Sequence, residues 1–455
     1  RHLKAEWERF DEWYNFRDFY EGINELAYLD ESTYKGGKNA DYHPIAWYHE
    51  FDGGGSFYTG MGHTSESYAE KEFMDHVLGG IHYAIGENSL NYKKASAQVP
   101  PDESNFVKDV LISGLDEPME LEVFKGNKVL FTERKGNLRL FDPKKGVRTI
   151  AKLDVHTGFE DGLMGLAKDP DYEKNHWIYM YYAPAGDDWV MNLSRFVFVA
   201  DSLFLNTEKI LLQVPVQRET CCHTGGSIEF GPDGSLYLST GDDTSPFNNK
   251  ELKYNSDGYG PMNGMPGWES YDARRSSANT QDLRGKVLRI MPEKNGTYSI
   301  PDGNLFPKDG SEGRPEIFVM GSRNPYRISI DQKTGILYFG DVGPDANEDS
   351  ERGPRGHDEV NQVKQPGFFG WPMFIADNQP YARYNYQTGE IGEKYDPENP
   401  VNDSPNNTGM KELPKPTPPM IYYPYAETKV FEGLGTGGRN AMAGPVYYSD
   451  MYKSS

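Results

Sequence analysis

Cysteine is nearly absent: the 455 residues contain two, and they are neighbours, Cys221 and Cys222. A single pair cannot build a disulfide framework or a four-ligand zinc site. No Cys-x-x-Cys-His run occurs, which excludes a c-type haem carried by this chain. There is also no apolar run of the length, about 18 residues, that a membrane-spanning helix requires. Cationic excess is lacking too. Lys and Arg number 47 against 69 Asp and Glu, a formal charge of -22, which argues against nucleic acid or an anionic membrane as the main partner. The plain meaning of such acidity is solubility of an exported protein. No signal-peptide pattern follows Arg1, and a mature exported form or an excised fragment both read this way.

What is present points to β structure. At 455 residues two or more domains are expected. Aromatic residues make up 13%, with 31 Tyr beside 49 Gly. This mixture suits short strands joined by tight turns, and Tyr and Trp also suit sugar-binding clefts. Residues 1–86 read as an α/β unit. Leu26–Leu29 and Ile45–Tyr48 are expected to be short buried strands. Ser67 with Glu70 makes a capping-box pattern, Phe73, Val77 and Ile81 recur at helical spacing, and Gly86 ends the helix. Residues 87–103, with Pro100-Pro101, lack periodicity and read as a linker.

Residues 104–455 carry a repeat: an alternating strand, a polar turn, and a second strand rich in Tyr and Phe. The copies are Met119–Phe124 with Lys128–Glu133, Leu163–Ala167 with Trp177–Tyr182, Ser227–Phe230 with Leu236–Thr240, and Arg327–Ile330 with Ile336–Asp341. Their alternation predicts half-buried antiparallel strands. A spacing of roughly 40 to 100 residues, with irregular insertions, suits propeller blades better than a sandwich. Loops from several blades then converge at one mouth, so residues distant in sequence can share a site.

The most informative stretch is Cys221-Cys222-His223-Thr224-Gly225-Gly226-Ser227, followed by Gly231-Pro232-Asp233-Gly234 and Thr240-Gly241-Asp242. It resembles the catalytic blade of the quinoprotein sugar dehydrogenases, the glucose/sorbosone dehydrogenase family, with His223, Asp233 and Asp242 matching in type and spacing. Phe159–Gly165, Gly285–Ile290, and Gly321–Pro325 with Gly343-Pro344, Asp358-Glu359 and Gly370-Trp371-Pro372 resemble further family segments in the same order. The resemblance implies a mainly β fold: a six-bladed-type β-propeller whose last blade is incomplete in this chain, Gly444–Tyr448 being the start of a late blade.

It also implies chemistry. The cofactor would be pyrroloquinoline quinone (PQQ), faced by Glu160, Arg323, Asn324, Cys221 and Cys222. Calcium would be held by Gly343, Pro344, Asp358 and Glu359, residues that offer the hard oxygen ligands this ion takes. A carbohydrate would be the substrate, and a cytochrome c domain or protein the kind of external electron acceptor needed. The setting would be periplasmic or extracellular. Oxidising an anomeric carbon needs a base for the hydroxyl proton, which suits a His titrating near neutrality. His223 would be that base, Asp242 would orient it, and Arg323 with Asn324 would polarise the quinone oxygen. The alternative is a non-catalytic carbohydrate-binding or cell-surface propeller. In that reading His223 is a structural loop residue, Arg323 and Glu160 form a loop salt bridge, and Asp358-Glu359 is a solvated turn. Cys221 and Cys222 either close a flat disulfide ring beside His223, the favoured reading in an oxidising compartment, or stay reduced as small hydrophobes.

His43-Pro44-Ile45-Ala46-Trp47, Gly53-Gly54, Phe57-Tyr58 and Gly62-His63-Thr64 resemble the last third of a ThuA-like (trehalose-utilisation) domain, of class I glutamine amidotransferase-like fold. His43, His49 and His63 are pocket candidates there, with a structural role favoured and no catalysis assigned.

Overall fold

A computed structural model describes residues 6–51, 54–85, 107–431 and 434–448. The expected linker and the helix stop at Gly86 lie outside them. Two compact units divide between Asp109 and Val110.

In the first unit, β1 (Asn24–Tyr28), β2 (Pro44–Phe51) and β3 (Gly54–Thr59) form one antiparallel sheet in that order. Pro44 opens β2, a position that tolerates a missing N–H donor. Pro44, Ile45 and Ala46 are buried, but β1 is an edge strand and Leu26 lies exposed, against expectation. The helix α1 (Lys71–Ile85) buries Phe73, His76 and Gly80, while Ile81 is exposed. The buried stripe includes a His and a Gly, which an apolar count misses. The capping box is not formed either. Ser67 lies inside a 3₁₀ turn, Ser65–Ala69, and its hydroxyl accepts from Arg9 Nη2 at 2.7 Å. The three histidines hold separate contacts. His43 is buried between Glu31 Oε1 (2.6 Å) and the Tyr14 carbonyl (2.9 Å), His63 meets Glu12 at 3.0 Å, and His49 packs against the Tyr20 and Phe51 rings.

The second unit is built from four sheets of blade type. The first holds β4 (Pro118–Phe124), β5 (Lys128–Glu133), β6 (Asn137–Asp142) and β7 (Gly146–Lys152). The second holds β8 (Leu163–Lys168), β9 (Trp177–Tyr182), β10 (Val190–Val199) and β11 (Ser202–Pro215), with the one-turn helix α2 (Tyr172–Asn175) before β9. The third runs β12 (Gly225–Phe230), β13 (Leu236–Thr240), β14 (Lys286–Pro292) and β16 (Ile317–Met320), with β15 (Tyr298–Ser299) also on β14. The fourth begins β17 (Arg327–Ile330), β18 (Leu337–Asp341) and β19 (Asp358–Val363). Then β20 (Gly367–Phe368) joins β16 in parallel, β21 (Phe374–Ile375) pairs β22 (Gln379–Pro380), and β23 (Ala382–Tyr384) pairs β24 (Ile391–Lys394). Finally β25 (Ile421–Tyr423) completes the fourth sheet beside β19.

Each strand pair read from the sequence repeat opens one of these sheets. The opening strands also meet: β4 touches β8, β8 touches β12, and β12 touches β17. Arg327 of β17 reaches β4, donating to the Met119 carbonyl and standing 3.4 Å from Glu120. Opening strands gathered side by side, with each sheet running outward from them, are the architecture of a propeller. Two expectations are corrected. The strands β8, β9 and β13 are buried almost throughout rather than half-buried, because sheets cover both of their faces. Gly444–Tyr448 forms no strand; it runs beside β17, with Ala443 N donating to Arg327 O at 3.2 Å. Pro445 has no N–H to give a ladder there.

Candidate active site

The site forms where segments leading into β8, β12 and β17 come together. His223 precedes β12 and is 4% exposed. Its backbone is left-handed, with φ of 73°, a conformation that costs a non-glycine residue roughly 1 kcal/mol. Three neighbours hold it there. Its N–H donates to Glu160 Oε2 at 2.7 Å, from the segment before β8. Its Nδ1 bonds Asp242 Oδ1 at 2.7 Å. Behind it sits Gly241, where a Cβ would lie 2.0 Å from the His223 carbonyl oxygen, so no other residue fits without moving His223.

Asp242 is wholly buried. It also accepts from Thr244 N at 3.0 Å and from the Trp371 indole N–H at 2.7 Å. Accepting from every partner is the behaviour of an ionised carboxylate. The shared proton therefore sits on Nδ1 and the lone pair on Nε2, which has no protein partner among the described residues. That is the arrangement of an oriented base.

Arg323 and Asn324 join the site from before β17. Asp242 N donates to the Arg323 carbonyl at 2.8 Å. Gly225 N donates to Asn324 Oδ1 at 3.1 Å. The Arg323 guanidinium stands 5.9 Å from the Trp371 ring centroid, donates to the Val342 carbonyl at 2.9 Å and lies 3.9 Å from Asp345. It is not ion-paired with Glu160. Cys221 and Cys222 are joined as a disulfide, and their sulfurs and a Glu160 carboxylate oxygen lie within 4.8 Å of one another. His223, Asp242, Glu160, Cys221, Cys222, Arg323 and Asn324 are thus brought into one constellation. Asp233 is not part of it. It caps the turn at the opposite end of the β12–β13 hairpin, accepting from Ser235 N at 3.0 Å.

The family described as Glucose / Sorbosone dehydrogenase matches residues 115–411, and that described as Trehalose utilisation matches residues 1–84. The chain belongs to the glucose/sorbosone dehydrogenase family. It is similar to quinoprotein glucose dehydrogenase B of Acinetobacter calcoaceticus, 26% identical over 303 residues, covering 62% of this chain and 56% of that protein. Aldose sugar dehydrogenase YliI of Escherichia coli is 27% identical over 271 residues, covering 58% and 61%. Human Hedgehog-interacting protein is 28% identical over 251 residues, covering 50% and 32%. The chain therefore spans less than two thirds of the length of each of these relatives. A solved structure described as a putative oxidoreductase (glucose dehydrogenase) from Thermus thermophilus is 26% identical, covers 70% of this chain and 72% of that chain, and superposes with a TM-score of 0.48.

The residues present fit a planar, carbonyl-bearing anion such as PQQ. The disulfide sets two apolar sulfurs beside Glu160, the Asn324 amide N–H group has no protein acceptor among the described residues, and Arg323 adds a fixed positive charge. The calcium set does not fit. Asp358 and Glu359 are successive residues of β19 and face opposite ways. Asp358 accepts from Gly343 N (2.9 Å) and Ala441 N (2.7 Å), whereas Glu359 accepts from Ala376 N at 2.7 Å. The Pro344 carbonyl is already bonded to Arg439 Nη2 at 2.8 Å. Asp358 and Glu359 therefore cannot both turn toward the Pro344 carbonyl.

Sequence reasoning missed Asp341, which accepts from the N–H groups of Arg323 (2.9 Å) and Asn324 (2.6 Å). Burial pushes its pKa up to about 7. A signal was available: β13 is followed by Gly241-Asp242 and β18 ends in Gly340-Asp341, the same pair at the same place in successive sheets. Trp371 was seen as part of a motif but not as the partner of Asp242.

Proposed function

We propose that the second unit is a PQQ-dependent aldose-type dehydrogenase in which His223 removes the proton of the sugar's anomeric hydroxyl. The observation that carries this reading is the His223–Asp242 pair, with Nδ1 tied down and Nε2 without a protein partner among the described residues. His223 takes the hydroxyl proton at Nε2 while its Nδ1–H stays on Asp242, whose carboxylate stabilises the imidazolium. The Trp371 indole keeps that carboxylate in place. Arg323 and Asn324 would hold the cofactor's carbonyl edge, and the disulfide would underlie its ring. PQQ, when bound, supplies the two-electron acceptor for the anomeric carbon's hydride. In this reading the protein works outside the cytoplasm, where a disulfide persists, and passes electrons to an external acceptor such as a cytochrome c domain or protein.

A second reading, a non-catalytic interaction propeller, draws on the similarity to Hedgehog-interacting protein. One experiment separates them: reconstitution with PQQ, a check by absorbance that it is bound, then aldose-dependent dye reduction. Turnover in the wild type that falls by about 10³-fold in His223→Asn is the expected outcome. A wild type that retains PQQ yet turns over no aldose supports the second reading.

A further inference from the structure

The loop from Val342 to Asp345 is closed by two guanidinium groups. Arg323 holds one side of it through the Val342 carbonyl at 2.9 Å, with Asp345 at 3.9 Å. Arg439 holds the other, donating to the Pro344 carbonyl at 2.8 Å and standing 3.6 Å from Asp358 Oδ1. The Arg439 side chain is 2% exposed, with its guanidinium carbon 3.7 Å from the Tyr425 ring centroid. The Pro344 oxygen is closely packed. A Cβ built on Gly356 would lie 1.6 Å from it, so the carbonyl is packed between the Gly356 backbone and Arg439. Both oxygens of Asp358 are taken by backbone N–H groups, those of Gly343 and Ala441.

A divalent cation held by the Pro344 carbonyl and the Asp358 carboxylate would meet a buried guanidinium that already faces both. Two positive charges at one carbonyl would repel strongly in so buried a place. A guanidinium can do the structural part of a metal's work here. It is permanently charged, and here Nη2 bonds the carbonyl while Nε stands 3.6 Å from the carboxylate, an ion pair rather than a hydrogen bond.

We propose that Arg439 is a built-in replacement for a metal ion: it closes the Gly343–Pro344 loop against Asp358, and this site takes no calcium. The role is structural positioning of the loop that Arg323 also grips, so it stands whether or not the site turns sugar over.

The test is thermal unfolding of the full chain in EGTA and in 1 mM CaCl₂, for the wild type, Arg439→Ala and Asp358→Asn. No readout uses activity, so failure of this proposal is distinct from failure of the dehydrogenase reading. The wild type is expected to show no calcium-dependent shift, whereas Arg439→Ala melts lower in EGTA and regains part of the loss in calcium. If Arg439→Ala does not fold, Arg439→Lys replaces it, retaining the charge without the fork and again melting lower. A wild-type shift with calcium that is retained in Asp358→Asn places that ion elsewhere and agrees with the proposal. A wild-type shift with calcium that disappears in Asp358→Asn overturns it.

Discussion

His223 is constrained at its backbone N–H, at its imidazole and from behind, so its chemistry depends on groups that touch it without touching a substrate. Asp242→Asn replaces an acceptor with an amide that can offer Nδ1 a donor, favouring the wrong tautomer. We expect kcat to fall by roughly 10²–10⁴-fold with little change in KM. Trp371→Phe keeps a ring beside Arg323 and removes one N–H from the Asp242 carboxylate, a loss of about 1.5 kcal/mol that should cost roughly tenfold in kcat. Steady-state kinetics on PQQ-loaded protein check both, and a Trp371→Phe enzyme of unchanged kcat would remove the indole from the argument. His223, Asp242, Arg323 and Glu160 could be named as candidates because each lies in a short motif that carries the family resemblance, and the fold brings them together. The role of Trp371 was not, because its partner is 129 residues away and only the fold brings the two together. Arg439 was invisible for the same reason: the Pro344 carbonyl that it binds lies 95 residues away.

At the scale of elements, an acidic residue at the end of a sheet's second strand grips the segment that enters its first. Asp242 holds His223 before β12, Asp341 holds Arg323 and Asn324 before β17, and Glu133 at the end of β5 accepts from Asp116 N at 3.3 Å before β4. Asp341→Asn exchanges one of two acceptor oxygens for a donor facing a backbone N–H. It should destabilise the unit by about 1–3 kcal/mol, measured by urea unfolding. The strand pairs themselves were legible because apolar alternation marks them. The buried face of α1 was not, since His76 and Gly80 carry no hydrophobic signal. A second element-level feature is acidic crowding among the opening strands. Burial, with the carboxylates of Glu120 and Glu122 nearby, pushes Glu229 up to about 8 from 4.5. The cations close by serve the other two carboxylates: Arg327 stands 3.4 Å from Glu120, and Lys168 3.8 Å from Glu122. The folded chain therefore holds a proton that the unfolded chain releases, and stability contributed below pH 4.5 is lost as pH rises through 8. Glu229→Gln should flatten that slope and raise the melting temperature at pH 8.5 by about 2 °C. A variant whose melting temperature keeps the wild-type pH dependence would exclude Glu229 as its source.

For the whole molecule, the formal charge of -22 acts on every encounter. An anionic electron acceptor such as ferricyanide meets a repulsive field, so its rate of reduction should rise with ionic strength, while that of a cationic dye should fall. Equal salt dependence of the two would show that the local charge at the mouth outweighs the global one. The assembly of the site from the entries to β8, β12 and β17 has a further consequence, for how the chain acquires competence. Glu160 and Asn324 contact the His223 region from positions 63 and 99 residues away in sequence, as the Glu160–His223 and Gly225–Asn324 bonds record. Such long closures are the slow part of forming a protein of this topology. During synthesis or refolding, binding of the proposed quinone would therefore wait until the second, third and fourth sheets have docked. Recovery of cofactor binding after dilution from denaturant is a clock for that docking, and it should trail the return of β-sheet signal in circular dichroism.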